Sequence, residues 1–378
     1  MTSLDPRTAI FLAGAMSGLM SLVLLALRRN YPPSIKGLNE WSAGLLILFA
    51  GSLLYAGRGL LPEFVSIPFS NFLVWSGLYL TYVGSQRFYG ISPRVGPWMA
   101  LLSVALLAMV WFTFVEPSYH VRLLVGTGMR ALLFAVHAVL IFRQGSITFA
   151  RALAIGVLAA TTITQLLRAL TSFMYPLGTD VFNSEPRQLA YLTSSAVLTL
   201  LFSISLVLMA SDRVRTELEY LASHDPLTNA LTRRHLDEAC QRELERCRRH
   251  GRRMALLLMD LDHFKEVNDT YGHQAGDRVL INFVVKVNAL LRQPDQLARF
   301  GGEEFVLLLP ETSPEEAVAV AERIRAISTV SNMEPSCTVS IGVTSNQKDT
   351  DTVDTMLARA DAALYRAKAN GRNRTETA

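Results

Sequence analysis

The chain has 378 residues, 36 basic and 32 acidic side chains, and 50% hydrophobic residues. Residues 1–210 hold 13 Lys and Arg with 6 Asp and Glu, against 23 and 26 in residues 211–378, so the net charge of +4 divides into +7 and −3. A pI near 9.0 thus describes neither part. Charge of this kind argues against nucleic-acid binding, and 210 residues so poor in charge exclude a single soluble domain.

Seven apolar runs, each near the roughly 20 residues that cross a bilayer, are expected at about 8–27, 40–57, 68–86, 97–115, 121–142, 150–174 and 188–210. Charge gathers between them. Alternate connections carry Arg28, Arg29 and Lys36, then Arg87 and Arg94, then Arg143 and Arg151, then Arg213 and Arg215, with Glu40 and Asp212 the only acids beside them. The other connections mix Arg58, Arg122 and Arg187 with Glu63, Glu116, Asp180 and Glu185. Basic residues favour the cytoplasmic side, so the expected topology has the N-terminus outside and the C-terminus inside. Arg7 is offset by Asp5 and the Arg pair follows the first run, which argues for a retained anchor rather than a cleaved signal peptide. Arg130, His137 and Arg168 fall inside expected spans, where an ionisable group marks either a functional site or a snorkelling side chain.

From Val207 the apolar positions run Val207, Ala210, Val214, Leu218 and Leu221, a spacing that suits either a short parallel coiled coil or a solvated connector. This divides the chain into a transmembrane all-α sensory domain (1–210), a helical linker (211–224) and a second domain (225–378). In the second domain the pattern predicts helix 232–250, strand 254–260, helices 263–270 and 276–292, a strand pair around 296–309, helix 314–329, strand 336–344 and helix 353–370. Alternation of this kind reads as one α/β domain. The three cysteines, Cys240, Cys247 and Cys337, lack metal-ligand spacing and are expected as free thiols in a reducing compartment.

Three motifs stand in order: MDLDHFKEVNDTYGHQAGD at 259–277, GGEEF at 301–305 and DAALYRAKANGRN at 361–373. Together they resemble the GGDEF family of diguanylate cyclases, over residues 223–373. The resemblance implies a palm-like α/β fold similar to nucleotidyl cyclases, and condensation of two GTP into cyclic di-GMP with release of two pyrophosphates by a homodimer. It implies Mg²⁺, with Mn²⁺ as an alternative, held by Asp260, Glu303, Glu304 and the carbonyl of Leu261. Such a hard ion takes one or two carboxylates beside phosphate oxygens. Glu303 matches the proposed general base and Lys265 the phosphate-facing lysine. Lys368 and Arg372 match residues on the β and γ phosphates. Asn268 and Asp277 match the guanine contacts, with His273 lining the pocket.

Arg292 and Asp295 form an RxxD whose offset from Gly301 matches the family's product-inhibition site, and Arg323 is a candidate for its second half. Asp262 is expected to cap the helix beginning at His263. The entry motif departs from the family pattern, with Asn229 for Gly and Thr232 for Asn; Asn tolerates a left-handed backbone and Thr can cap a helix. The basic run Arg242, Arg246, Arg248, Arg249, Arg252 and Arg253 is expected as a solvated helix face, with anionic lipid contact as the alternative. The whole is expected to be a multi-pass bacterial inner-membrane cyclase with its catalytic domain in the cytoplasm. A nucleotide receptor on the same fold and a transporter with a regulatory tail are the readings set beside it.

Overall fold

The computed structural model describes residues 6–174, 186–329, 337–347 and 350–378. Asp180, Glu185 and the first residue of the strand expected at 336 lie outside them. The chain forms two compact units, Met1–Thr216 and Glu217–Ala378.

The first unit is helical: α1 Pro6–Asn30, α2 Leu38–Ala56, α3 Ser70–Phe88 entered through a π-helical turn at Val65–Phe69, α4 Val95–Phe114, α5 Tyr119–Phe142, α6 Phe149–Met174 and α7 Pro186–Ser223. Six of these helices are long and apolar enough to cross a membrane. The expected seventh, α3, is not, because Ser70, Asn71, Thr81, Ser85 and Gln86 interrupt its apolar sequence; all five are buried. It packs against α2 and α5, so its polar groups face protein rather than lipid. Elsewhere the surface is apolar: Leu22, Leu107, Phe142 and Phe149 are each at least 60% exposed, as lipid-facing residues are.

Of the three ionisable residues expected in spans, His137 is explained by packing. His137 Nε2 lies 2.7 Å from Ser85 Oγ, which accepts from Trp41 Nε1 at 3.1 Å, while Tyr82 and Phe202 present edge-on rings to the imidazole. His137 therefore joins α2, α3, α5 and α7 in one buried network. Among the loop residues, Glu40 pairs with Arg87, and Arg151 donates through Nη2 to the Ile141 carbonyl at 2.9 Å, closing the end of α5.

Helix α7 is 38 residues long, or about 57 Å at 1.5 Å per residue, so it exceeds what a bilayer of about 30 Å requires. Of the apolar seam, Ala210 is buried and Val207 and Val214 pack on the bundle core. Leu218 and Leu221 are 58% and 60% exposed, so only this end of the seam remains open for pairing.

In the second unit, β1 Leu231–Thr232, β2 Met254–Leu261, β3 Gln296–Gly301, β4 Glu304–Pro310, β5 Val339–Ser345 and β6 Thr375–Thr377 form one sheet in the order β1-β3-β4-β2-β5-β6. The helices are α8 Arg233–His250, α9 Phe264–Tyr271, α10 His273–Asn288, α11 Pro314–Thr329 and α12 Val353–Ala369. Central strand β2 is antiparallel to both β4 and β5, and all eight of its residues are buried. Alternation then sorts its side chains. Ala255, Leu257, Met259 and Leu261 join the core formed with α9, α10 and α11, whereas Met254, Leu256 and Leu258 join that formed with α8 and α12. Asp260 follows the even set, which puts it on the α12 side.

Close approach of α12 to the sheet depends on Gly342 in β5. A Cβ there would lie 2.1 Å from the Ala360 carbonyl oxygen and 2.5 Å from the Leu364 nitrogen, a clash with backbone that no rotamer change relieves. Lys368, two turns further along α12 by number, is delivered to the end of β2 by this contact.

Candidate active site

The hairpin joining β3 to β4 carries Gly301-Gly302-Glu303 at its tip. Gly302 has φ +47°, the left-handed backbone expected of the motif. Strand register sets Asp260 opposite Glu304 on one side and Ser340 on the other. The Leu261 N–H donates to the Glu303 carbonyl at 3.3 Å, tying the tip to the end of the central strand.

Two carboxylates thus meet at a strand end. Burial raises the Asp260 pKa against the opposing pull of Lys368, whose Nζ lies 2.7 Å from Asp260 Oδ2. Burial also raises Glu303, and the neighbouring charges of Asp260 and Glu304 add to the shift. Carboxylates held together against their own repulsion call for a cation. The set suits a hard divalent ion that completes its shell with phosphate oxygens and water; no group of three or more His, Cys, Asp or Glu among the described residues is placed to hold a metal ion, so Asp260, Glu303 and Glu304 are not drawn together as one ligand cluster. Glu304 is exposed at the start of β4.

The phosphate- and base-facing candidates sit on the helices that follow β2. Lys265 is exposed in the first turn of α9, Asn268 half-buried one turn on, and His273 and Asp277 are exposed in the first turns of α10. Asn268 holds its place because residue 276 is glycine: a Cβ there would come within 2.0 Å of Asn268 Oδ1. The short link between α9 and α10 therefore fixes the amide beside Asp277.

Asp262 does not cap α9. His263 occupies the cap position with φ +57° and makes no side-chain capping bond, its Nδ1 lying 2.6 Å from Glu266 Oε1 instead. Asp262 is instead buried, accepting from Thr338 Oγ1 and Ser340 Oγ, both at 2.7 Å, and from the Asn373 N–H at 3.0 Å. The left-handed turn at Arg372 and Asn373, φ +61° and +45°, is anchored by this carboxylate, and the Arg372 charge reaches Asp260.

Residues 222–374 match the family model described as "Diguanylate cyclase, GGDEF domain". They are a GGDEF domain. This GGDEF domain is 44% identical over 159 residues to diguanylate cyclase DgcP of Pseudomonas aeruginosa, a match covering 41% of the chain and 24% of DgcP. It is 42% identical over 168 residues to diguanylate cyclase DgcM of Escherichia coli, covering 43% and 40%. Among solved structures, the coiled coil and GGDEF domain of DgcB from Caulobacter crescentus in complex with c-di-GMP is 31% identical, covers 46% of this chain and 97% of that one, and gives a TM-score of 0.43. The chain spans under half the length of the curated relatives it matches.

Arg299, which the motif analysis left without a role, supports the GGDEF hairpin from behind. Its Nε and Nη2 donate to the Gly302 carbonyl at 3.0 and 2.8 Å, and Nη1 to Asp225 Oδ1 at 3.1 Å. Asp225 also accepts from the Thr228 N–H and hydroxyl; burial pushes its pKa up, but these bonds outweigh burial and hold it below its ordinary value. One guanidinium thus links the entry turn to the GGEEF tip. Asn229 has the expected left-handed φ, +60°, and accepts from Tyr220 Oη at 2.5 Å. Thr232 stands at the cap position of α8 without capping it; its hydroxyl donates to the Ala222 carbonyl at 3.2 Å, fastening the end of α7 to the GGDEF domain.

Arg292 and Asp295 form a closed turn, with the Arg292 N–H donating to Asp295 Oδ2 at 2.8 Å. Arg292 lines a groove with Arg242 and Arg246 of α8, so part of the basic run meets the RxxD. Arg323 is exposed on α11 and does not line that groove. The cysteines are free and buried; burial pushes the Cys240 thiol up to about 12 and Cys247 and Cys337 to about 11, so none is a ready nucleophile.

Proposed function

We propose that this chain is a membrane-anchored diguanylate cyclase that condenses two GTP into cyclic di-GMP. The observation that carries the reading is the meeting of Asp260 and Glu303 with Lys368 at the end of β2. In each of two steps a 3′-hydroxyl oxygen attacks the α-phosphorus of the other nucleotide, the bond to pyrophosphate breaks, and the hydroxyl proton leaves to a base. Glu303 takes that proton, its raised pKa bringing it closer to the working pH. Asp260, Glu303, Glu304 and the Leu261 carbonyl would hold Mg²⁺, which when bound offsets charge on the departing pyrophosphate and acidifies the attacking hydroxyl. Lys265, Lys368 and Arg372 bind the phosphates, while Asn268 and Asp277 accept and donate at the guanine edge beside His273.

Each chain supplies one GTP site, so two chains must face each other, which turns the encounter into an oriented reaction. Leu218 and Leu221 at the open end of α7 are the pairing residues in this reading. The domain lies in the cytoplasm of a bacterium, the helical unit crosses the inner membrane with its N-terminus outside, and product binds at Arg292, Asp295 and the nearby groove, with Arg323 from α11 a candidate second contact. Incubating the purified full chain with GTP and Mg²⁺ and identifying the product tests the assignment. Cyclic di-GMP and pyrophosphate in a 1:2 ratio are expected; intact GTP would overturn it.

A further inference from the structure

Among the described residues, no carboxylate lines the cavities that hold Arg130 and Arg168. The two arginines line a cavity of about 130 Å³ inside the helical unit, and both also line a smaller adjoining one of about 30 Å³ together with Arg58 and Arg122. Arg168 is 6% exposed and Gln165, one turn away on α6, 4%. Arg168 Nε and Gln165 Oε1 are buried without a hydrogen-bond partner. Arg130 donates through Nε to the Gly126 carbonyl at 3.0 Å. A point above Gly126 lies 3.4 Å from Arg130 Nη2 and 3.5 Å from Asn71 Oδ1, so an amide and a guanidinium converge there. The rest of the cavity wall combines apolar side chains, Leu48, Val74, Phe134 and Phe202 among them, with hydroxyl-bearing residues such as Ser17 and Thr161.

Two guanidinium groups facing each other in an apolar bundle are expensive unless something negative neutralises them. The lining comes from the first halves of α1, α3 and α7, the second halves of α2 and α6 and the middle of α5, where Arg130 sits, so the cavity runs from the end of the bundle where α7 begins towards its middle. In the topology read from loop charge this is the outer half of the membrane. We propose that this cavity binds an amphipathic organic anion, its carboxylate or phosphate head on Arg130 and Arg168 and its apolar body along the Leu48, Phe134 and Phe202 side. Arginine forks suit an oxyanion with two acceptor oxygens.

The test reads binding, so it stands apart from the cyclase assignment. Full-length protein in nanodiscs of phosphatidylcholine is melted with sodium butyrate or octanoate, with butylamine and butanol as controls, and in parallel discs containing phosphatidylglycerol. The carboxylates are expected to raise the melting temperature by at least about 3 °C at saturation, and the amine and alcohol to leave it unchanged. A rise in phosphatidylglycerol discs that the carboxylates do not reproduce assigns the same site to a lipid head instead. Arg168→Met is expected to abolish the rise and to leave the ligand-free melting temperature unchanged or higher, because a buried unpaired charge has gone. Arg168→Lys keeps the charge but not the fork, and is expected to weaken binding at least tenfold. The proposal is overturned by a rise that survives Arg168→Met, by Arg168→Lys binding as wild type, or by no rise with either class of anion.

Discussion

The helical unit and the GGDEF domain bury charge in opposite ways. In the GGDEF domain acids converge and a lysine answers them: Asp260 and Glu303 meet, and Lys368 lies on Asp260. In the helical unit arginines converge and no acid among the described residues lines their cavity. An excess of one sign that a fold holds together states what it lacks, a cation in one place and an anion in the other. The difference also separates groups that finish their bonding within the chain, such as His137 and Asp262, from groups that do not.

The sharpest break of that comparison is Glu303→Gln. Product formation is expected to fall at least about 10³-fold, the scale of losing a general base and a metal ligand together, followed by nucleotide chromatography. Its melting temperature in Mg²⁺-free buffer should not fall, since one of two repelling carboxylates has been removed; a marked loss would show that Glu303 is structural. Next comes Gly342→Val, which drives a side chain into the Ala360 carbonyl. A loss of about 3 kcal/mol or more, of the kind overpacking causes, is expected by chemical denaturation, with GTP binding lost alongside as Lys368 shifts.

Arg299→Ala touches neither substrate nor metal in this reading. It leaves the Gly302 carbonyl and Asp225 without their shared donor, so a fall of about tenfold in kcat with KM for GTP little changed is expected. Steady-state kinetics separates this from a simple loss of folded protein. The smallest effect concerns pH. Asp225 has a depressed pKa in the fold, so its contribution to stability is fully present above the unfolded carboxylate value near 3.9. That contribution disappears as pH falls through the folded value. The stability gap between wild type and Asp225→Asn should therefore be constant from about pH 6 to 8 and close below about pH 4; a gap that widened on acidification would contradict the bonding described.

Much of the GGDEF domain was legible in sequence because its signals are local. Six apolar residues in a row before Asp260 predict the buried strand, and two glycines predict the hairpin tip. Helix α11 has its expected bounds, and β2 differs by one residue. Asp262 and Thr232 were misread for one reason: a short polar residue before a helix looks like a cap, whereas their partners, Ser340, Asn373 and Ala222, are 78, 111 and 10 residues away. Arg299 went unassigned because Asp225 is 74 residues distant. In the helical unit, α3 fell short of a span because its polar side chains are buried against neighbouring helices, which hydropathy along the chain does not register. His137 and Arg168 look alike in sequence; only packing shows that Ser85 bonds the imidazole while Arg168 Nε finds no partner among the described residues.

The ion pair between Lys368 and Asp260 has a kinetic meaning as well. In the proposed reading an ammonium group already occupies the metal's electrostatic seat, so free Mg²⁺ would have to compete with a tethered rival whose local concentration never drops. A nucleotide changes the contest, because its phosphates draw Lys368 away and bring oxygen ligands of their own. Metal and GTP should therefore load as one package, and a cell's swings in free Mg²⁺ alone would leave the empty enzyme quiet.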